Sequence, residues 1–215
     1  MDAVIDSLPT YLKGFVGTLE LLAISGVGAL ILGTIVAGLR ISPIASLRTF
    51  AAVYTEVLRN IPLLLVLFFC GVVLPYLKVP LDYFPLALIG LTLYTSPFVA
   101  EAVRSGVNGV PVGQAEAARS IGLRFGQTLS LIVMPQAIRM VIPPLINVII
   151  ALAKNTSVAG GFFVYELFKA ANDITNLRGD AVIVLLLGIA VLYLVITVPL
   201  GLIAGAVERR VAVLR

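Results

Sequence analysis

The sequence predicts an all-α integral membrane protein with about five transmembrane helices in one domain. Hydrophobic residues make up 60 % of the 215 positions, and the mean hydropathy is +1.11. Charged residues make up only 12 %, against roughly 25 % in an average soluble domain. A soluble globule of this length needs more polar side chains to cover its surface, so we expect much of the chain to face lipid.

Five apolar stretches are long enough to cross a bilayer, which takes about 20 mostly apolar residues in a helix. We expect spans at about 12–39, 49–77, 84–107, 127–154 and 181–207. The first has Glu20 near its outer part, and the last is the longest uncharged run in the chain. The fourth apolar run is interrupted by Arg139 and by Pro135, Pro143 and Pro144.

The distribution of basic residues predicts the orientation, because loops on the cytoplasmic side are rich in Lys and Arg. One set of connections holds Arg40, Arg48, Arg104, Arg119, Arg124, Arg209, Arg210 and Arg215. The other set holds fewer basic residues and most of the acids. We therefore expect a bacterial cytoplasmic-membrane protein with its N-terminus outside and its C-terminus inside. Asp2 and Asp6 stand where a cleavable signal peptide would need basic residues, so no such peptide is expected.

Several classes of function are disfavoured by what the sequence lacks. It has no histidine and a single cysteine, Cys70, so an intrachain disulfide, a Cys/His metal cluster and the usual nucleophile–base pairs are excluded. It also lacks a Gly-x-x-x-x-Gly-Lys-Ser/Thr stretch, so the chain is not expected to hydrolyse ATP. The net charge of +4 follows the topology, so nucleic-acid binding is not expected. We expect no cofactor in this chain.

The most polar internal stretch runs from Glu101 to Gln127, between the third and fourth predicted spans. Within it, Glu116–Ile121 has strong helix formers and small alanines, and Gly122 permits a turn that a Cβ would disfavour. This composition predicts a short helix on the membrane face, with an alanine surface that a partner can approach closely. A solvated loop is the alternative that composition leaves open.

A gapped motif in this stretch resembles the EAA signature of ABC importer permeases. Glu116-Ala117-Ala118 is followed after three residues by Gly122 and after nine more by Ile132–Pro135, with Met134 where Leu is usual. The resemblance implies the type I ABC importer permease fold, in which a cytoplasmic coupling loop, here about 111–126, docks into a cleft on the ATPase subunit. The implied coupling residues are Glu116, Ala117, Ala118, Arg119 and Gly122.

Other motifs narrow the resemblance to permeases for polar amino acids: histidine, arginine, glutamine and glutamate. They are Glu56–Leu64, Glu101–Gly106, Val110–Gln114, Pro135–Arg139, Pro143–Asn147 and Lys154–Ser157. The implied partners are an ATP-binding subunit pair that holds ATP and Mg, a second permease copy or paralogue, and an extracytoplasmic substrate-binding protein. The amino-acid substrate and membrane lipid complete the set.

The sequence disfavours three alternative functions. A permease of the same fold for methionine or an osmolyte is disfavoured by the stretches around Pro62, Pro135 and Lys154. A secondary transporter without an ATPase usually has more spans or internal repeats, and we find no repeat here. A membrane enzyme is disfavoured by the absence of histidine and of a clustered nucleophilic or acidic site.

Polar residues at membrane depth are the candidate substrate ligands. Lys154, Asn155, Thr156 and Ser157 directly follow a long uncharged run and are suited to bind the charged ends of an amino acid. The alternative is that Lys154 snorkels to the outer interface and Thr156 begins a turn. Arg139 is suited to bind a carboxylate, although a structural ion pair or a place near the cytoplasmic interface is the favoured interpretation. The positive charge on these residues ranks glutamate or aspartate first, glutamine second and basic amino acids third.

Two acid–base pairs stand at a spacing of three, Glu56–Arg59 and Glu101–Arg104. On a helix each pair shares a face, so we interpret them as ion pairs near the cytoplasmic gate or the ATPase contact. The segment Val164–Ile174 is typical of a short amphipathic helix outside the membrane. It could contact a binding protein, and lying on the membrane surface is the simpler expectation.

Overall fold

The computed structural model describes residues 5–212 and side chains as far as residue 210, and within them it is helical throughout apart from turns. The helices follow in the order α1 (Leu8–Arg40), α2 (Ala45–Asn60), α3 (Leu63–Tyr76), α4 (Tyr83–Asn108), α5 (Val112–Ser120), α6 (Phe125–Phe162), α7 (Leu167–Leu177) and α8 (Val182–Ala212). Asp2, on which the expectation about a signal peptide depends, lies outside the described residues. So does Arg215, one of the basic residues that predict the orientation.

Four helices, α1, α4, α6 and α8, are each long and apolar enough to cross a membrane. Helices α2 and α3 pass that test only as a pair, and they meet at a bend of 98°. The span expected at about 49–77 therefore consists of two helices joined at a sharp bend. The break falls at Ile61 and Pro62, which are both extended, because proline cannot continue the preceding helix and disfavours a helical residue before it.

Two helices widen into π-helical turns, and each turn lies just before a proline. Phe69–Val73 in α3 precedes Pro75, and Thr128–Val133 in α6 precedes Pro135. A proline ring collides with the carbonyl group four residues earlier in an α-helix, and in both cases that carbonyl lies within the widened turn. The π turns thus accommodate these prolines without ending the helix.

The core is formed where α1, α3, α4 and α6 meet. Leu21, Leu67, Leu91 and Leu152 are all fully buried there, with one leucine from each helix. Helix α1 runs close along α4: a Cβ on Gly33 would lie only 2.5 Å from the Cβ of Val99. Close approach of this kind is the usual role of small residues between membrane helices.

Pro97 leaves one carbonyl group in α4 without its helical hydrogen-bond donor, that of Leu93. The Ser96 hydroxyl donates to this carbonyl at 3.2 Å, and the Tyr54 hydroxyl lies 2.7 Å from Ser96 Oγ. Tyr54 belongs to α2, so the proline site is also where α2 is attached to the middle of α4.

Helix α7 packs its apolar face on protein, whereas lying on the membrane surface was the simpler expectation for Val164–Ile174. Four of its apolar residues, Leu167, Ala170, Ala171 and Ile174, are buried and pack against α1 and α8, whereas Phe168 and Leu177 are exposed. An amphipathic helix can place its apolar face against lipid or against protein, and the sequence pattern is the same in both cases. The tertiary contacts therefore decide its place here.

Candidate functional site

Helix α5 forms a short connection between α4 and α6 at one end of the bundle, which we call the α5 end. Gly122 has φ of +89°, a conformation that residues with a Cβ rarely adopt. Its amide donates to the Arg119 carbonyl at 3.0 Å, and the Leu123 amide donates to the Ala118 carbonyl at 3.1 Å. These bonds close the C-terminal end of α5 in the usual manner of a glycine cap. The short helix and the glycine turn are confirmed, and the solvated-loop alternative is wrong.

The surface of α5 and of the turn after it is largely open. Glu116, Ala117 and Arg119 are exposed, and Ala118 is buried against the protein. Three large apolar side chains are also mostly exposed: Val112 at 72 %, Ile121 at 79 % and Phe125 at 71 %. Exposed apolar groups on a polar connecting segment indicate a contact surface for another protein or for the membrane.

Glu101 lies at the centre of an ion cluster at the same end. Its carboxylate accepts a 3.0 Å bond from Arg40 of α1, pairs with Arg104 one turn further along α4, and lies 3.9 Å from Arg59 of α2. The expected pair Glu101–Arg104 is confirmed. The expected pair Glu56–Arg59 is wrong, because Arg59 turns toward Glu101 and Glu56 is exposed.

The residues Lys154, Asn155, Thr156 and Ser157 do not form one site. They lie within helix α6, so successive side chains point in different directions. Asn155 faces α4, Thr156 is fully buried, and Lys154 and Ser157 border a groove beside Tyr193 of α8. These four residues, which the sequence suggested as one site, therefore lie in three different environments.

Asn155 borders a cavity of about 440 Å³ between α4 and α6. Its lining residues are Tyr94, Thr95, Phe98, Asn147, Val148, Ala151, Leu152 and Asn155. The Thr95 hydroxyl is buried and has no hydrogen-bond partner among the described residues. Two side-chain amides in a largely apolar cavity are suited to hold a small polar molecule.

Asn147, Tyr94 and Thr95 were not singled out from the sequence. A signal for Asn147 was present, since residues eight apart on a helix share a face and Asn147 stands eight positions before Asn155. Arg139 does not border the cavity: eight residues separate it from Asn147, about 12 Å along the helix. It is exposed, and no ion pair involves it within residues 5–210.

Glu166 is a buried acid, although the segment Val164–Ile174 that contains it was expected to be a helix on an outer surface. Its side chain is fully buried and caps α7, accepting from the amides of Phe168 and Lys169 at 2.8 Å each. The Tyr193 hydroxyl of α8 donates to it at 2.8 Å, and Thr18 of α1 accepts from the next amide, that of Leu167. Burial raises the pKa of the Glu166 carboxyl, and these hydrogen bonds oppose part of that rise.

Comparison with known proteins agrees with this architecture. Residues 29–213 match the family model described as binding-protein-dependent transport system inner membrane component. The chain is 41 % identical to the glutamate transport system permease protein of Corynebacterium glutamicum, over 95 % of each chain. It is 38 % identical to a probable glutamine ABC transporter permease protein of Bacillus subtilis, over 98 % of this chain and 97 % of that one.

A solved structure has the same fold. The crystal structure of an amino acid ABC transporter with histidines superposes with a TM-score of 0.89 at 27 % identity, over 96 % of both chains. The helices and the exposed connecting helix thus define a type I ABC importer permease. The chain belongs to the family of binding-protein-dependent transport system inner membrane components. It is a multi-pass membrane transport subunit, and the resemblance found in its motifs is confirmed.

Proposed function

We propose that this chain is one permease subunit of an ATP-driven importer for a polar amino acid, with glutamate or aspartate as the preferred substrate and glutamine next. The relatives named above are a glutamate permease and a probable glutamine permease, and both match over nearly their whole length. The cavity between α4 and α6 offers the amides of Asn147 and Asn155 for a small polar solute.

Coupling to ATP takes place through α5. The exposed apolar residues Val112, Ile121 and Phe125, together with exposed Glu116, form the surface that docks on an ATP-binding subunit. ATP and Mg are held by that subunit pair, and this chain supplies the mechanical link. Since α5 joins α4 and α6 directly, a displacement of α5 reaches both walls of the cavity. This is the observation that best supports the importer function.

A second permease, either a copy of this chain or a paralogue, covers the exposed face of α6. Arg139, Asn147 and Lys154 are exposed on that helix in the single chain. A charged side chain at membrane depth costs at least about 2.5 kcal/mol, so these residues require water or protein around them. The substrate passes between the two permeases after an extracytoplasmic binding protein delivers it at the end opposite α5.

The test is transport by the assembled complex in proteoliposomes, with ATP inside and loaded binding protein outside. We expect ATP-dependent uptake of labelled glutamate, inhibited by unlabelled aspartate and glutamine and least by arginine. Liposomes without ATP are the control. Strong inhibition by arginine or lysine with none by glutamate would overturn the substrate order. A complex that takes up no amino acid when ATP hydrolysis is intact would overturn the importer function itself.

A further inference from the structure

One aromatic ring, that of Phe98, contacts both the cavity and a member of the ion cluster. Phe98 lines the cavity on one side. The Arg59 guanidinium lies over the same ring, 5.7 Å from its centre, in cation–π geometry. Phe98 therefore borders the cavity and also carries the Arg59 guanidinium over its ring.

The cluster around Glu101 has more positive than negative charge. Arg40, Arg59 and Arg104 share one carboxylate, which leaves an excess of two positive charges. The three arginines are not held equally. Arg40 and Arg104 make direct hydrogen bonds to Glu101, whereas Arg59 lies at 3.9 Å and its side chain is the most exposed, at 37 %. Arg59 is thus the arginine most able to accept another anion.

We infer that Arg59 receives a carboxylate of the substrate as the substrate leaves the cavity toward the α5 end, and that it thereby favours dicarboxylic amino acids. This inference rests on the proposed importer function. The planar guanidinium binds a carboxylate through two parallel hydrogen bonds, and a long contact to Glu101 is readily exchanged for a closer one.

The surroundings of the cavity agree with this assignment. The described lining of the cavity has no charged side chain, so hydrogen bonds alone hold the substrate there. Toward the α5 end lie the three arginines of the cluster and, on α6, Arg139. Their excess positive charge attracts an anion and repels a cation across a medium of low dielectric constant. A substrate with a carboxylate at each end can offer one to the cavity amides and then the other to Arg59 as it moves past Phe98. A monocarboxylate such as glutamine has only one carboxylate for both positions.

The experiment compares glutamate and glutamine uptake by the reconstituted importer with an unchanged binding protein, so that any change in the ratio arises in the permease. Arg59→Gln is expected to reduce glutamate uptake at least tenfold and glutamine uptake less than threefold. Arg59→Lys keeps the charge and is expected to retain at least a third of glutamate uptake. Arg40→Gln removes a neighbour of Glu101 that does not border Phe98, and it should reduce both uptakes by the same factor. Arg48→Gln, on the exposed side of α2, should change neither.

Equal loss of both substrates in Arg59→Gln, or equal loss of glutamate uptake in Arg59→Lys and Arg59→Gln, would overturn the inference, because either result indicates a packing role. The glutamate comparison of these two variants decides the question even if glutamine is not carried. Recovery of each assembled complex by size-exclusion chromatography verifies folding. A wild-type importer that moves glutamine but not glutamate would refute the preference and leave the importer function standing, whereas one that moves neither would refute that function.

Discussion

The Tyr193 hydroxyl donates a 2.8 Å hydrogen bond to Oε2 of Glu166, and this bond joins α8 to the N-terminal end of α7. The same oxygen accepts from the Phe168 amide, and Oε1 accepts from the Lys169 amide. Because Thr18 of α1 binds the intervening Leu167 amide, one turn of chain links three helices. Gly160 of α6 also lies against Glu166, since a Cβ there would collide with Oε1.

Tyr193→Phe removes only the hydroxyl and leaves one bond to a buried carboxyl unmade. We expect a loss of about 1–2 kcal/mol of stability, or a melting temperature lower by about 2–4 °C for each kcal/mol. Differential scanning fluorimetry of the complex in detergent measures this change. Tyr76→Phe is the matched control, since Tyr76 is 85 % exposed. Equal shifts in the two variants would contradict a structural role for the Tyr193 bond.

Glu166 also predicts a pH dependence of stability. Burial raises the pKa of its carboxyl above the ordinary value of 4.5. The unfolded chain then loses its proton at a lower pH than the folded chain, so stability falls as pH rises from 4.5 through the raised folded-state pKa. Glu166→Gln cannot titrate, and its melting temperature is expected to fall less over that interval. The exposed Glu208→Gln is the control, and parallel curves for wild type and Glu166→Gln would disprove the prediction.

Gly122 tests the role of α5. An added Cβ meets no atom within 4 Å, so Gly122→Ala introduces only backbone strain at φ +89°, about 1–2 kcal/mol. We expect lower uptake from Gly122→Ala and none from Gly122→Asp or Glu116→Lys, with membrane insertion intact in all three. Gly113→Ala, also on α5 with open space around its Cβ, should transport normally. Near wild-type uptake by Gly122→Asp with the ATPase bound would refute the coupling assignment.

Glu101→Gln tests the ion cluster. Without the carboxylate, three partly buried arginines face one another, and we expect a loss of about 1–3 kcal/mol, less than for a fully buried pair because the cluster is partly solvated. Glu56→Gln, from the pair that the sequence suggested, should change stability by less than about 0.5 kcal/mol. Thermal denaturation of both variants gives the comparison. A larger effect from Glu56→Gln would show that the sequence-based pairing was the better description.

Reporter fusions test the orientation. A reporter after Arg215 should be active only in the cytoplasm, and one inserted between Lys78 and Asp82, in the connection from α3 to α4, only outside. The reason is the excess of arginine on the connections at the α5 end. The reverse activity at either position would overturn the orientation.

Features set by local sequence were the ones that could be predicted. The apolar runs gave the helices that can span the membrane, and the spacing of Glu116 and Gly122 gave α5 and its glycine cap. The break at Pro62 had a local signal too, although the size of the bend did not, because it depends on how α2 and α3 pack.

Features that join separate helices were missed for a common reason. Spacing identifies only partners on the same helix, so Arg59 was assigned to Glu56 although its partner is Glu101, on a helix further along the chain. Glu166 looked like a surface acid because its three hydrogen-bond donors, two of them backbone amides, leave no trace in the sequence. The cavity was missed because its lining residues come from two helices, α4 and α6. Only those on α6 include a recognisable pattern, the two asparagines eight positions apart.

The serine beside Pro97 has a consequence for biosynthesis. The Ser96 hydroxyl donates to the Leu93 carbonyl within α4. This helix can therefore enter the bilayer with the carbonyl that Pro97 leaves free already hydrogen-bonded. Its integration from the translocon therefore does not have to wait for α2, and the Tyr54 contact can form afterwards, when the helices assemble. In a Ser96→Ala chain, the Leu93 carbonyl of a newly inserted α4 would lack this donor until the Tyr54 hydroxyl, 3.5 Å away in the folded chain, comes beside it.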